Sequence, residues 1–428
     1  MNVCPPDSYD TASPPFVLPT TARIAVGICF CVGFADGVIL PFLALWAQQS
    51  AHLTASVVGL LLACYSAGEL LATPILGGAA DRYGRRRVLI CSLAGVGTGF
   101  LLLPFCNGVI AIAAMLLFIG VCECTLHPTV STVIADVVPA NHLRRAFALA
   151  RSSASVGRIL GPMTGAFIVS YDLGGVFFAA ACLLLISVCL TIVGVPETRP
   201  DTGADEEDHE PGLAGLLPAF RDRRLASLLL WLLCIEICAG WVPAVLPLFA
   251  RDTGLLTVSQ VGWLFTYGAA VVAVLQIATA QRSARIGGEA LAWWSALALA
   301  AAFATVLLLG GVAGLVIGMT LLAVNQMILG PLVPSTVNSL APPHRRATYM
   351  AAASVVGDLK DTVGPVVGTL VYGLSPQLPW SLGIPLALVA GFALARRMRV
   401  HDALLAAQQR LGSASSTFIP SKETSSHD

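Results

Sequence analysis

Apolar blocks of roughly 20 residues recur along this chain, each bounded by a short polar stretch, and no other feature restricts its fold as much. A helix rises about 1.5 Å per residue, so a block of this length crosses the roughly 30 Å hydrocarbon core of a bilayer. Only helices and closed barrels satisfy their backbone in lipid, and barrel strands need just about 10 residues. Helical spans are therefore expected at 22–46, 55–79, 88–106, 110–134, 146–170, 174–195, 227–249, 258–281, 290–309, 312–335, 348–372 and 379–395. Charged residues make up 11% of the chain, against about 25% in a soluble domain.

Arginines orient these spans. Arg82, Arg85, Arg86 and Arg87 follow the second, Arg144, Arg145 and Arg151 the fourth, and Arg199, Arg221, Arg223 and Arg224 the sixth. Arg282 and Arg285, then Arg345 and Arg346, then Arg396, Arg397 and Arg399 follow the eighth, tenth and twelfth. The opposite loops hold only Arg251. Basic residues stay on the cytoplasmic side, so both termini are expected there, with an even number of spans. A multi-pass protein of the plasma (inner) membrane is expected.

The chain also repeats itself. Thr54 and Thr257, Arg82 and Arg285, and Gly161 and Gly364 are each 203 positions apart, and neighbours of each match as well. Duplication implies an N-terminal bundle at 21–195 and a C-terminal bundle at 225–397, joined by a cytoplasmic linker at 196–224. Cytoplasmic tails are expected at 1–20 and 398–428, the latter polar, Ser-rich and disordered. Two parallel repeats about an axis normal to the membrane point to a central site between them.

Most of the 12 cysteines sit inside apolar blocks, without metal-ligand spacing or a disulfide framework. No metal or cofactor is expected. A net charge of zero gives no reason to expect a nucleic-acid partner. The partners expected are lipid and a small molecule, and a monomer is expected to suffice. No nucleophile–base pair or phosphate loop is visible, which argues against an enzyme and leaves no catalytic residue to name.

The run Gly77 to Arg87 resembles the G-x-x-x-D-R-x-G-R-R signature of the major facilitator superfamily, through Gly77, Asp81, Arg82, Gly84, Arg85 and Arg86. It falls between the second and third spans, where that family carries it. Asp36 to Pro41 resembles the D-x4-P element of the family's twelve-span drug:proton antiporter branch. Gly157, Gly161, Pro162 and Gly165 resemble that branch's antiporter motif, and Pro196-Glu197-Thr198 resembles a common ending of the sixth span. Leu116 stands where the branch commonly has an arginine, and Ala148 and Ala166 where the antiporter motif has glycines. The resemblance implies an all-α membrane protein of twelve helices in two pseudo-symmetric six-helix bundles, the major facilitator fold. It also implies that the loop signature gates the two halves, with the Asp81 carboxylate facing arginines and a helix N-terminus.

A charge at the bilayer centre costs about 2.5–3.5 kcal/mol on insertion scales, so ionisable residues inside spans are candidates for function. Asp36, Glu69, Glu123, Arg158, Glu236, Asp358, Lys360 and Asp361 all lie about ten residues from a span end. The 203-residue offset places Arg158 across the central axis from Asp361 and Glu123 across it from Gln326. Arg158 and Asp361 are expected to interact, directly or through substrate, in one state of the transport cycle; the alternative is that each is neutralised within its own half, with Lys360 or Asp358 serving Asp361. Glu123 is the foremost candidate for carrying a proton or meeting substrate, with Asp36 and Glu236 as similar candidates. His127, one turn after Glu123, is a possible proton relay. The substrate and coupling set is therefore Asp36, Glu123, Arg158, Glu236, Gln326, Asp358 and Asp361. The excess of carboxylates, together with the resemblance, leads to the expectation of proton-coupled export of small apolar or cationic molecules. A sugar or small-metabolite facilitator or importer on the same fold is the alternative.

Overall fold

The computed structural model describes residues 18–49, 53–76, 79–139, 142–197, 220–283, 285–342 and 346–416. Gly77, most of the linker and the ends of both tails lie outside them, and the side chains of Asp81 and Asp358 are likewise not described. The described residues are predominantly helical, and none of them forms a strand.

The N-terminal half comprises α1 (Thr20–Gln49), α2 (Ala55–Leu76), the short α3 (Ala79–Tyr83), α4 (Arg85–Leu102), α5 (Val109–Glu123), α6 (Leu126–Val137), α7 (Leu143–Ile168) and α8 (Gly175–Gly194). The C-terminal half comprises α9 (Arg223–Gly240), α10 (Val242–Asp252), α11 (Val258–Ser283), α12 (Gly288–Leu308), α13 (Gly311–Leu340), α14 (Arg346–Leu374) and α15 (Leu378–Ser416). Among the described residues, ten stretches are long and apolar enough to cross a membrane, with α5–α6 and α9–α10 each forming one broken stretch. The expected spans 5 and 11 are α7 and α14, helices of 26 and 29 residues. They fall outside those ten because of their charge: α7 carries Arg144, Arg145, Arg151 and Arg158, and α14 carries Arg346, Asp358, Lys360 and Asp361.

Local chemistry explains the breaks and starts. Pro128 lies in the first turn after the α5–α6 break, and Pro243 in the first turn after the α9–α10 break. Proline cannot donate to the preceding turn and crowds it. At the start of α11, Thr257 and Gln260 form a capping box: the Thr257 N–H donates to Gln260 Oε1 at 2.9 Å, and the Gln260 N–H to Thr257 Oγ1 at 3.3 Å. One expectation fails at the C-terminus. The chain beyond 400 continues α15 as helix to Ser416 instead of leaving it near 395. Its first turns beyond the span are pinned, since Arg399 Nε donates to Glu289 at 2.8 Å and Asp402 accepts from the Glu289 N–H at 3.3 Å.

The repeat is visible in the packing. Within the first half, α1 and α7 touch backbone to backbone: a Cβ on Gly161 would lie 2.6 Å from the Val38 nitrogen and 2.7 Å from the Gly37 Cα. In the second half, a Cβ on Gly364 would lie 3.0 Å from the Gly240 Cα. Gly37 and Gly240, like Gly161 and Gly364, are 203 positions apart. The antiporter-type glycines thus form a seam where two helices meet without side chains between them.

The halves meet along α2–α14 and α7–α11. Ser66 Oγ donates to the Asp361 carbonyl at 3.1 Å, and Ser259 Oγ to the Ala166 carbonyl at 2.6 Å. A Cβ on Gly59 would strike the Thr369 side chain and sit 2.8 Å from the Pro365 carbonyl. Gly59, Ala166 and Ser259 lie at the helix ends opposite the arginine-rich loops. Toward the arginine-rich end, Leu71 and Ile75 on α2 and Val274 and Ile277 on α11 stand exposed.

The seam makes a direct prediction. Gly161→Ala should cost about 2–3 kcal/mol, because the α1 backbone cannot yield as a side chain would. Gly330→Ala, within α13 and with open space around it, should be neutral or stabilising by up to about 1 kcal/mol. Unfolding of the purified protein in detergent measures both.

Candidate functional site

A cavity of about 320 Å³ lies between the halves. The N-terminal half supplies Asp36, Pro41, Arg158 and Pro162 to its wall, and the C-terminal half supplies Val242, Phe265, Met319, Leu322 and Gln326. Among the described residues that line it, only Asp36, Arg158 and Gln326 are polar. The cavity is therefore charged on one side and almost wholly apolar on the other. Gly37 sets the approach of the charged side, since a Cβ there would lie 2.9 Å from the Arg158 carbonyl. The seam that joins α1 to α7 is thus also what brings Asp36 beside Arg158.

Behind Asp36 lies a second layer. Glu123, at the last residue of α5, is 6% exposed and accepts a hydrogen bond from the Tyr65 hydroxyl of α2. His127, on the first turn of α6, completes a cluster in which one ligating atom each of Asp36, Glu123 and His127 lie within 4.8 Å of one another. Asp36 interacts electrostatically with both His127 and Arg158. Glu123 is thus removed from the cavity wall, and Asp36 stands between it and any occupant. Its repeat counterpart Gln326 does reach the wall.

The C-terminal half holds a separate ionic group. Lys360 Nζ lies 3.7 Å from Glu236 and 3.4 Å from Asp361. The cross-axis pair of Arg158 and Asp361 is not formed. Arg158 interacts with Asp36 and Asp361 with Lys360, so each is compensated within its own half. The offset explains the difference between the halves: Gly33 and Gly157 of the first seam correspond to Glu236 and Lys360 of the second. Where α1 and α7 touch through glycine, α9 and α14 are joined through an ion pair.

Described residues of the loop signature have partners inside the first half, while Gly77 and the side chain of Asp81 lie outside the described residues. Arg85 forms an ion pair with Asp136 at 2.8 Å, and Arg86 donates to the Ile192 carbonyl at 2.5 Å. The Arg85 N–H, at the N-terminus of α4, donates to Glu197 at 2.8 Å. Among the described side chains, Glu197 places a carboxylate at this helix N-terminus, where its charge is favoured. Gly84 has φ of 93°, and Glu197 occupies the place of the Cβ that it lacks. These contacts tie α4, α6 and α8 together inside the first half. Arg82 stacks its guanidinium 5.3 Å from the Tyr83 ring centroid.

Sequence reasoning offered Lys360 as a partner for Asp361 but missed Tyr65 and the contact of Lys360 with Glu236. Tyr65 lies one turn before Glu69 on α2, so a mid-span hydroxyl on the face of a known carboxylate was the available signal.

Comparison with known proteins follows the same lines. A family model described as Major Facilitator Superfamily matches residues 25–365. Multidrug resistance protein MdtG of Citrobacter koseri is 27% identical over 267 residues, which cover 60% of this chain and 64% of that protein. MdtG of Escherichia coli O1:K1 / APEC is 27% identical over 271 residues with the same shares covered. The match thus spans about 64% of the length of these curated relatives. Among solved structures, the nucleoside transporter NupG aligns with a TM-score of 0.72 at 14% identity, covering 89% of this chain and 98% of its own. The human organic anion transporter MFSD10 (TETRAN) aligns with a TM-score of 0.63 at 21% identity, covering 89% and 100%. At such identities these structures share the fold.

The ion pair in the second seam can be tested by stability. Lys360→Met leaves two carboxylates facing each other and should cost about 2–3 kcal/mol, less than a fully buried pair because Lys360 keeps some exposure. Adding Glu236→Gln to that variant should recover part of the loss, as a double-mutant cycle in detergent would show.

Proposed function

This chain belongs to the major facilitator superfamily, and from that membership we propose that it exports small apolar or cationic organic molecules in exchange for protons. It is a multi-pass integral membrane transporter rather than an enzyme. The observation that carries the substrate reading is the cavity between the halves, with a carboxylate on one wall and an apolar surface opposite. A molecule with an apolar body and a cationic end fits such a space: the body lies against Val242, Phe265, Met319 and Leu322, and the cation against Asp36. The naming of the MdtG relatives as multidrug resistance proteins supports the same reading.

The chemistry of exchange follows from the second layer. Two carboxylates this close in a low-dielectric site resist ionising together. A proton held between Asp36 and Glu123 leaves when a cation takes its place, and returns when the cation is released. Tyr65 orients the inner carboxylate by hydrogen bonding, and His127 offers a route for the proton to the open side. Arg158 keeps Asp36 from being the cavity's sole charge.

The arginine pattern supports a topology of twelve spans with both termini cytoplasmic, in the plasma (inner) membrane of the cell. On that topology the contacts of Gly59 and Ser259 between the halves lie at the outer helix ends, and the exposed Leu71, Ile75, Val274 and Ile277 lie toward the cytoplasm. The bundles at 21–195 and 225–397, linked through 196–224, rock about the cavity. One chain supplies the whole site, so a monomer suffices. A sugar or small-metabolite facilitator is the competing reading. Three polar side chains offer few partners to a ring carrying several hydroxyls, and this favours export of an apolar or cationic molecule.

Accumulation of a fluorescent lipophilic cation in efflux-deficient bacteria tests the proposal. Wild type should lower accumulation relative to empty vector, and a protonophore or Glu123→Gln should abolish the difference. No difference across a panel of such cations would set the export reading aside and leave the metabolite reading.

A further inference from the structure

Asp36, Glu123 and His127 come from α1, α5 and α6, too far apart in sequence for any spacing rule to group Asp36 with the other two. Folding brings one ligating atom of each within 4.8 Å of the others. Ligands held about 2.0–2.2 Å from a common ion stand roughly 3–4 Å from each other. Small rotations of these side chains therefore complete the geometry. We infer that Asp36, Glu123 and His127 bind a divalent transition-metal ion on the N-terminal side of the cavity.

The donor set selects the ion. Two carboxylates with one imidazole suit Mn²⁺, Co²⁺ or Zn²⁺. Mg²⁺ and Ca²⁺ prefer all-oxygen shells, and the imidazole disfavours them. The site has the supporting contact that ligating carboxylates usually show, since the Tyr65 hydroxyl holds Glu123 from outside the cluster. It also has an entry path: Asp36 lines the cavity and His127 is exposed, while Glu123 closes the inner side. Arg158 is the electrostatic opponent of the ion, because it competes for Asp36. It is exposed, however, and on a long side chain that can swing into the cavity. The inference rests on the Asp36–Glu123 site of the export reading and adds a second occupant to it, so that metal and proton compete for the same two carboxylates.

Titration of the purified full chain, in detergent and free of any histidine tag, with Co²⁺ as the probe tests this. Wild type should take up one Co²⁺ per chain with the visible absorption of a low-coordinate nitrogen–oxygen site. Zn²⁺ should displace it, and excess Mg²⁺ should not. His127→Ala should weaken binding by about 100-fold or more, and Tyr65→Phe by about 10-fold, the range seen when ligands or their outer partners are lost. Arg158→Gln should tighten binding, an effect opposite to that of a general structural lesion. A thiolate charge-transfer band would assign the ion to cysteines and overturn the inference. So would octahedral aqueous Co²⁺ only, or equal affinity in wild type and His127→Ala. Dye export from chelator-treated cells is read separately, so export without metal binding refutes this inference alone, and metal binding without export refutes the export reading alone.

Discussion

Backbone contact between α1 and α7, and its counterpart between α9 and α14, is the constraint on which the rest of the structure depends. Lipid offers no hydrophobic drive for helix association, so helices pair where they can approach closely enough for dispersion to accumulate. Gly37 and Gly161 permit this in one half, and Gly240 and Gly364 in the other. The contact also places function. With no side chain between the two helices, Asp36 and Arg158 project together into the cavity from adjoining surfaces. A polar pair at the centre of a membrane protein is expensive, and it persists here because each charge has an opposite one beside it.

The two halves meet this constraint differently. One rung of the first seam is Gly33 with Gly157, and the equivalent rung of the second is Glu236 with Lys360. Glycine contact is short-range and hard to open. An ion pair holds over a longer distance and answers to solvent and to neighbouring charge. The first half is braced further by the contacts of Arg85 and Arg86 with Asp136, Glu197 and Ile192. The carboxylates Asp36 and Glu123 belong to the first half, while the apolar wall belongs to the half whose seam includes the ionic rung.

Much of this was legible in the sequence. Span positions follow from block length, and the repeat from a constant offset. The glycines at Gly157 and Gly161 were identifiable before their partners were known. What remained hidden depends on rotation about helix axes and on distance, which spacing does not encode. The offset correctly relates Arg158 to Asp361, but symmetry-related residues need not touch. Each has a closer partner on its own side, and Coulomb energy falls with separation. The Glu197 carboxylate at the α4 N-terminus was hidden because 112 residues of chain separate it from Arg85. The helical continuation past 400 was obscured by its polar composition, which reads as unstructured unless one knows that Glu289 and Arg399 meet.

The central claim is that a proton resides on the Asp36–Glu123 site and is displaced by substrate. Its most direct test is proton release from the purified protein in weakly buffered detergent solution. Addition of a lipophilic cation such as tetraphenylphosphonium should acidify the solution for wild type, and leave Asp36→Asn and Glu123→Gln without a response. Binding of the cation with no proton release, or equal release from wild type and both variants, would contradict the claim.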